Sequence, residues 1–157
     1  MRDLILLRHA HAESATAGQD DRQRGLSATG LEEARAAGEW LRAHGFLPDR
    51  ILYSSAERTR QTLEALGDLG GVKGREEASI YEASPGTLAA LADANRDAER
   101  LMLVGHNPGL EQLAALMHSG QTGDYRGMPP GGIAVLSLPT DTSIEPGIGT
   151  LTQFWWP

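Results

Sequence analysis

The sequence contains no cysteine, which excludes disulfides, thiolate nucleophiles and thiolate metal sites together. It has no apolar run near the roughly 20 residues that a membrane-spanning helix needs. It opens Met1-Arg2-Asp3 and runs straight into apolar residues, without the leader pattern of a secreted chain, so a cytoplasmic location is expected. Nor is there an excess of basic residues. The formal net charge is −7, the wrong sign for a nucleic-acid partner. The acidic residues are dispersed (Glu32, Glu33, Glu57, Glu64, Asp93, Asp97) and read as solvated helix faces. Any anion site must therefore be a local concentration of positive charge inside an acidic shell. No internal repeat, linker or low-complexity tract interrupts the 157 residues, so one domain over 1–157 is expected, long enough to bury a core.

What is present begins with Leu4-Ile5-Leu6-Leu7. Four branched apolar residues without helical period read as a short strand buried on both faces. The chain then turns polar at Arg8, His9 and His11, at the strand's carboxyl end, where open α/β sheets bind ligands. An Arg-His pair there suits holding and attacking an anion. Glu13 to Arg24 reads as a polar loop. A helix follows, capped either by Ser27 or by Thr29 with Glu32 as a capping box, and closed by His44-Gly45. His44 is a partner for the helix dipole.

Ile51 to Ser54 reads as a second strand, with Ser55 as the N-cap of a helix reaching about Leu69. Arg58 then lies in a helix's first turn, unfavourable for a cation on dipole grounds alone and better explained by a nearby anion that backbone N–H groups can share. Arg60 cannot point the same way and takes a surface or interhelix role. Gly67 to Gly74 is a glycine-containing loop. Ile80 to Ala83 is a brief strand or its exit, and Ser84-Pro85-Gly86 starts a third helix. Arg100 to Gly105 is the clearest later strand. It ends in His106, with Asn107 as N-cap and Pro108 at the first position of a fourth helix. Gly120 to Gly131 is irregular. Ile133 to Leu138 and Gly149 to Trp156 form two final strands, an antiparallel edge on an otherwise parallel sheet. Trp155 and Trp156 cover that edge or meet a partner.

Strand ends thus carry Arg8-His9, Arg58, His106 and Glu82. Two guanidiniums and donor histidines match the oxygens of a phosphoryl group. Nucleophilic attack wants an uncharged imidazole nitrogen aimed at phosphorus, which His9 supplies if a backbone carbonyl accepts from its other nitrogen. Water then cleaves the phosphohistidine, and Glu82 is placed to protonate the leaving group.

Four segments carry a resemblance: Leu-Arg-His-Ala at 7–10, Leu-Ser-Ala-Thr-Gly at 26–30, Ser-Ser-Ala-Glu-Arg-Thr-Arg-Gln-Thr at 54–62 and Val-Gly-His-Asn-Pro at 104–108. In this order they resemble the histidine phosphatase superfamily, the phosphoglycerate-mutase-like group, over most of residues 3–139. Ala10 stands where that family usually has Gly, as in its short SixA-type phosphohistidine phosphatase branch, which the chain also resembles in length. The resemblance implies a three-layer α/β/α sandwich with a mostly parallel sheet and an antiparallel edge strand, and a mechanism without metal or other cofactor. It implies His9 as nucleophile, Arg8, Arg58 and His106 as the phosphate pocket, and Glu82 as the acid. His11 and His118 match no motif of the family.

The segments that would cover the pocket, Glu13–Arg24, Gly70–Ser79 and Gly120–Gly131, are short. An open site suits a phosphorylated histidine on a protein, with a small phosphomonoester as the alternative. Two other classes compete. In a metallohydrolase, His9 and His11, two apart at a strand end, would share a metal, but Arg58 stands where a further ligand is needed and would be repelled by a dication. In a phosphate-binding module the same pocket would bind without turnover. A mutase would need a longer, more enclosed pocket to keep water out. The oligomeric state is left open.

Overall fold

The structure is a computed structural model that describes residues 1–123 and 127–157. Positions 124–126 of the irregular stretch expected over 120–131 lie outside those residues. Among the described residues the strands and α-helices are β1 (Arg2–Arg8), α1 (Ala28–Ala43), β2 (Arg50–Tyr53), α2 (Glu57–Leu66), β3 (Gly74–Glu76), α3 (Pro85–Ala94), β4 (Arg100–Gly105), α4 (Gly109–Ser119), β5 (Ile133–Leu138) and β6 (Thr150–Trp155). They form one sheet in the order β3-β2-β4-β1-β5-β6. β3, β2, β4 and β1 pair in parallel, whereas β5 pairs antiparallel to β1 and β6 antiparallel to β5.

The unbroken apolar runs are explained by two buried faces. Along β1, Leu4 and Leu6 enter one core with Leu88 of α3 and Leu110, Leu113 and Met117 of α4. Ile5 and Leu7 enter the other with Ala37 and Leu41 of α1 and Leu66 of α2. Leu101 and Leu103 of β4 face the first core, Met102 and Val104 the second. The period-2 alternation of a strand thus feeds both helix layers, giving the three-layer α/β/α architecture. Among the described residues no helix is long and apolar enough to cross a membrane.

Local chemistry sets the helix ends. Ser27, not Thr29, caps α1 by accepting from the Gly30 amide at 3.0 Å. A Cβ on Gly30 would lie 2.0 Å from the His11 carbonyl, so glycine there lets the chain after His9 pass against the helix. The His44 ring donates to the Trp40 carbonyl at 2.9 Å, as expected near a helix C-terminus. Trp155 stacks on Trp40 at 5.5 Å and covers that end of the sheet, while Trp156 stays 53 % exposed.

Four expectations are corrected. The N-cap of α2 is Ala56, not Ser55. Thr59 fixes this start by hydrogen bonding through its hydroxyl to the Ser54 and Ala56 carbonyls, both at 2.7 Å. The same helix stops at Leu66 instead of reaching Leu69, because Gly67 adopts φ +80° and Arg42 takes up the Leu66 carbonyl at 2.6 Å. No strand forms over Ile80–Ala83. A 3-10 turn occupies Ala78–Ile80 and Glu82 sits at φ +55°, which extended backbone cannot accommodate. The strand lies earlier, at β3, so Glu82 is not at a strand end. Finally, α4 has Pro108 at its N-cap. Asn107 stands one residue further out, its side-chain oxygen accepting from the Glu111 amide at 3.3 Å. The polar loop before α1 also contains a 3-10 turn, Asp21–Gln23.

Candidate active site

Three adjacent strands, β2, β4 and β1, end together. Each delivers a polar residue just past its last paired position: Ser54, His106 and His9. Backbone bonds lock these exits to the neighbouring strand. The His9 amide donates to the Gly105 carbonyl at 3.0 Å, and the Ser54 amide to Val104 at 3.1 Å.

The His9 ring has a defined tautomer. Its Nδ1 lies 2.7 Å from the Ala10 carbonyl. A carbonyl can only accept, so Nδ1 carries the proton and Nε2 keeps its lone pair. Burial pushes the His9 pKa down to about 4, and Arg58 and Arg8 add to the depression, against the opposing bond to Ala10. The imidazole is therefore neutral at physiological pH. The turn after it is pinned to α2, where the Ala10 amide donates to the Thr62 hydroxyl at 3.1 Å.

His106 lies beside it, ring centroids 5.2 Å apart. Its Nε2 is 2.7 Å from the Ser54 hydroxyl, which also accepts from the Ala56 amide at 3.3 Å. The Ser54 hydroxyl can donate to Nε2 or accept from it, and the other ring nitrogen, Nδ1, is buried and unpartnered among the described residues. Burial, then the neighbouring His9 and Arg58, pushes the His106 pKa down to about 3.

The two arginines are held from opposite sides. Arg8 Nη1 donates to the Met128 carbonyl at 2.8 Å. That carbonyl also receives Asn107 Nδ2 at 2.9 Å, and Glu111 Oε2 accepts from the Met128 amide at 2.9 Å. Arg58 gives Nη1 to the Asp21 carbonyl at 2.9 Å and Nη2 to the Asp21 carboxylate at 3.1 Å. In both guanidiniums Nε–H is buried without a partner among the described residues. Buried N–H donors are almost always paired. Here two of them, Arg8 Nε and Arg58 Nε, are unpaired among the described residues, on the two guanidiniums whose charge acts on the His9 imidazole, and the neighbouring His106 leaves Nδ1 unpartnered as well. The Ser55 hydroxyl is likewise buried and unpartnered. Fixed guanidinium donors without a partner are what an oxyanion fills.

The other candidates are not hydrogen bonded to these residues among those described. Glu82 is exposed and its side chain makes no hydrogen bond among the described residues. His11 is exposed and shares its Nδ1 with the Ser27 hydroxyl at 2.7 Å. His118 accepts from the Leu151 amide at 3.2 Å. Arg60 lies on the surface, paired with Glu57 and Glu64. Among the described residues, no three histidine or carboxylate side chains are grouped to hold a metal ion. Beside Arg8, a cavity of about 870 Å³ opens between Pro108, Glu111, Phe154 and Trp156.

Sequence reasoning missed Ser54, Thr62, Asp21 and Tyr81, which hold the named residues in place. Ser54 and Thr62 lay inside a segment already singled out, and an accounting of partners for His106 would have reached Ser54. Nothing distinguished Asp21 from Asp20 or its neighbours.

A neutral histidine flanked by two guanidiniums and a second imidazole, at the carboxyl ends of parallel strands in an α/β fold, has the chemistry that suits a phosphoryl group. The model of the histidine phosphatase superfamily, branch 1, matches residues 4–125, and the chain belongs to that superfamily. It is a phosphatase by that membership. An uncharacterized protein of Mycobacterium tuberculosis is 35% identical to it over 94% of this chain and 98% of that protein. The phosphohistidine phosphatase SixA of Escherichia coli is 28% identical over 71% of this chain and 73% of that protein. A crystal structure from Agrobacterium tumefaciens that carries the name SixA is 31% identical, with a TM-score of 0.84 over 99% of this chain and 98% of that one.

Proposed function

We propose that this phosphatase hydrolyses phosphohistidine on a protein through a phosphohistidine intermediate of its own, formed on His9 without a metal. The observation that carries the reading is the neutral His9, Nε2 unprotonated, beside two guanidiniums whose buried Nε–H groups have no partner among the described residues. The phosphoryl oxygens would take the donors of Arg8, Arg58 and His106, whose charge and dipoles also offset the negative charge of the transition state. His9 Nε2 attacks phosphorus as the bond to the leaving imidazole breaks. That imidazole nitrogen takes a proton, for which Glu82, an exposed carboxyl beside Tyr81, is the proposed source. Water then attacks the phosphoryl group on His9, Glu82 accepts its proton, and inorganic phosphate leaves with His9 restored. The Ala10 carbonyl holds the Nδ1 proton throughout and stabilises the charge that develops on the ring.

The protein-borne substrate is supported by the name of the Escherichia coli relative and by the open cavity on one side of Arg8, which could take part of a polypeptide next to the phosphate pocket. The test is phosphate release from a phosphohistidine protein and from an aryl phosphate, each with and without a chelator, in wild type and His9→Ala. Chelator-resistant release that favours the protein and vanishes in His9→Ala is expected. Preference for the aryl phosphate would move the substrate to small phosphomonoesters. Binding without release would make the chain a phosphate-binding module, and loss on chelation would revive a metal mechanism.

A further inference from the structure

Arg58 raises a problem that the phosphate pocket alone does not solve. It is the second residue of α2, where the helix dipole disfavours a cation, and it is 7 % exposed. The only carboxylate bonded to it among the described residues is Asp21, from a 3-10 turn far away in sequence. That carboxylate is itself clamped. The Tyr81 hydroxyl donates to Oδ2 at 2.5 Å, and Arg24 Nη1 donates to Oδ1 at 3.0 Å. These hydrogen bonds, Tyr81 first, then Arg24, then Arg58, hold the Asp21 carboxyl well below the usual carboxylate range. Tyr81 in turn sets its ring edge-on to His106 at 5.6 Å and lies under the Arg22 guanidinium at 4.4 Å.

Two roles fit a carboxylate on a phosphate-binding arginine. It could imitate the phosphoryl group and have to leave, or it could hold the arginine while the phosphoryl group binds elsewhere on it. The bonding pattern separates them. A guanidinium has five N–H groups in one plane, two at its end and a parallel pair along the side that includes Nε. Asp21 uses Nη1 and Nη2, the end of the fork. Nε–H stays buried and unpaired among the described residues, so that donor is not spent on Asp21 and can serve an anion while Asp21 stays bound.

We propose that Asp21 is a positioning residue for the phosphoryl site. It orients Arg58 so that its Nε edge faces the pocket, and through Tyr81 it backs His106 as well. The assignment rests on the phosphoryl-site reading above, and anion affinity tests it apart from turnover.

The experiment measures binding of inorganic phosphate and kcat/KM on a phosphohistidine protein for wild type, Asp21→Asn, Arg58→Ala and the double variant, with Tyr81→Phe as a milder change that keeps the ring. Thermal unfolding is followed in parallel. Asp21→Asn keeps an acceptor but loses the charge, and is expected to weaken phosphate binding and lower kcat/KM by about tenfold each. Tyr81→Phe is expected to do so by about threefold. The double variant is expected to be no worse than Arg58→Ala alone, the signature of a residue acting through another. Equal or tighter phosphate binding in Asp21→Asn would overturn the proposal and make the carboxylate a competitor. Losses that add in the double variant would overturn it too. A wild type that bound phosphate but released none from substrate would count against the hydrolytic reading, while the affinity ratios still decided the role of Asp21.

Discussion

In the proposed phosphoryl site Arg8 and Arg58 share one job and have different kinds of support. Arg8 leaves a strand buried on both faces and rests on the Met128 backbone carbonyl, fixed by Asn107 and Glu111 at the start of α4. Arg58 rests on a loop residue, Asp21, whose side chain is 46% exposed. One arm of the pocket is therefore built from the core outward, and the other is tied down by a loop that could be rearranged without disturbing the sheet. In that proposal the contrast is two ways for a short chain to fix an anion-binding guanidinium. Among the described residues both guanidiniums leave Nε–H without a partner, and each is held through the other end of its fork, so the donors would be oriented before the substrate arrives.

The largest effect should come at the point between the two arms. His9→Ala is expected to lower turnover on the order of a thousandfold or more, since the attacking nitrogen is lost, with phosphate binding retained. Breaking either arm should cost less. Arg8→Ala and Arg58→Ala are each expected to lower kcat/KM about a hundredfold or more, read from initial rates on a phosphohistidine protein. The arms should differ when their supports are cut. Asn107→Ala removes bonds to Met128 and Glu111 inside the packed region and should lower stability by about 1–2 kcal/mol as well as activity. A denaturation midpoint unchanged by Asn107→Ala would show that the Arg8 arm is not supported through α4.

Acid should act on the centre of the site. Both imidazoles have folded-state pKa values pushed below the ordinary 6.5, to about 4 for His9 and about 3 for His106. Over that range the unfolded chain binds more protons than the folded one. Stability is then fully present above about pH 6.5 and falls as the pH drops towards 4 and 3, by a few kcal/mol for the two rings together. Urea unfolding at stepped pH measures this, and His9→Gln should flatten the slope. The smallest effect is expected from Glu82→Gln. A proton donor matters in proportion to the basicity of the leaving group, so its loss should be slight for a nitrophenyl phosphate and about tenfold for an alkyl phosphate. Equal losses on both would remove Glu82 from proton transfer.

What the sequence revealed follows the same division between core and loop. The runs at Leu4–Leu7 and Arg100–Gly105 announced their strands, because residues buried on both faces leave no polar alternation to confuse the reading. Arg8, His9 and His106 were legible as the residues where those runs end, and Arg58 as a cation on the wrong end of a helix. Ile80–Ala83 misled, since a short apolar run does not show that Glu82 adopts a left-handed backbone. Ser55 misled because N-cap preferences cannot choose between adjacent residues when Thr59 fixes the start from inside the helix. Asp21 and Tyr81 were invisible for a simpler reason. Their partners are 37 and 60 residues away, and nothing local marks a loop carboxylate for a distant guanidinium.

The most direct test of the phosphohistidine mechanism is to mix enzyme in excess with a radiolabelled phosphohistidine protein, quench in alkali within a single turnover, and map the label. Acid-labile, alkali-stable phosphate on His9, appearing before inorganic phosphate and absent from His9→Gln, is the predicted result. Release of phosphate with no labelled enzyme at any time, or label on a residue other than His9, would contradict it.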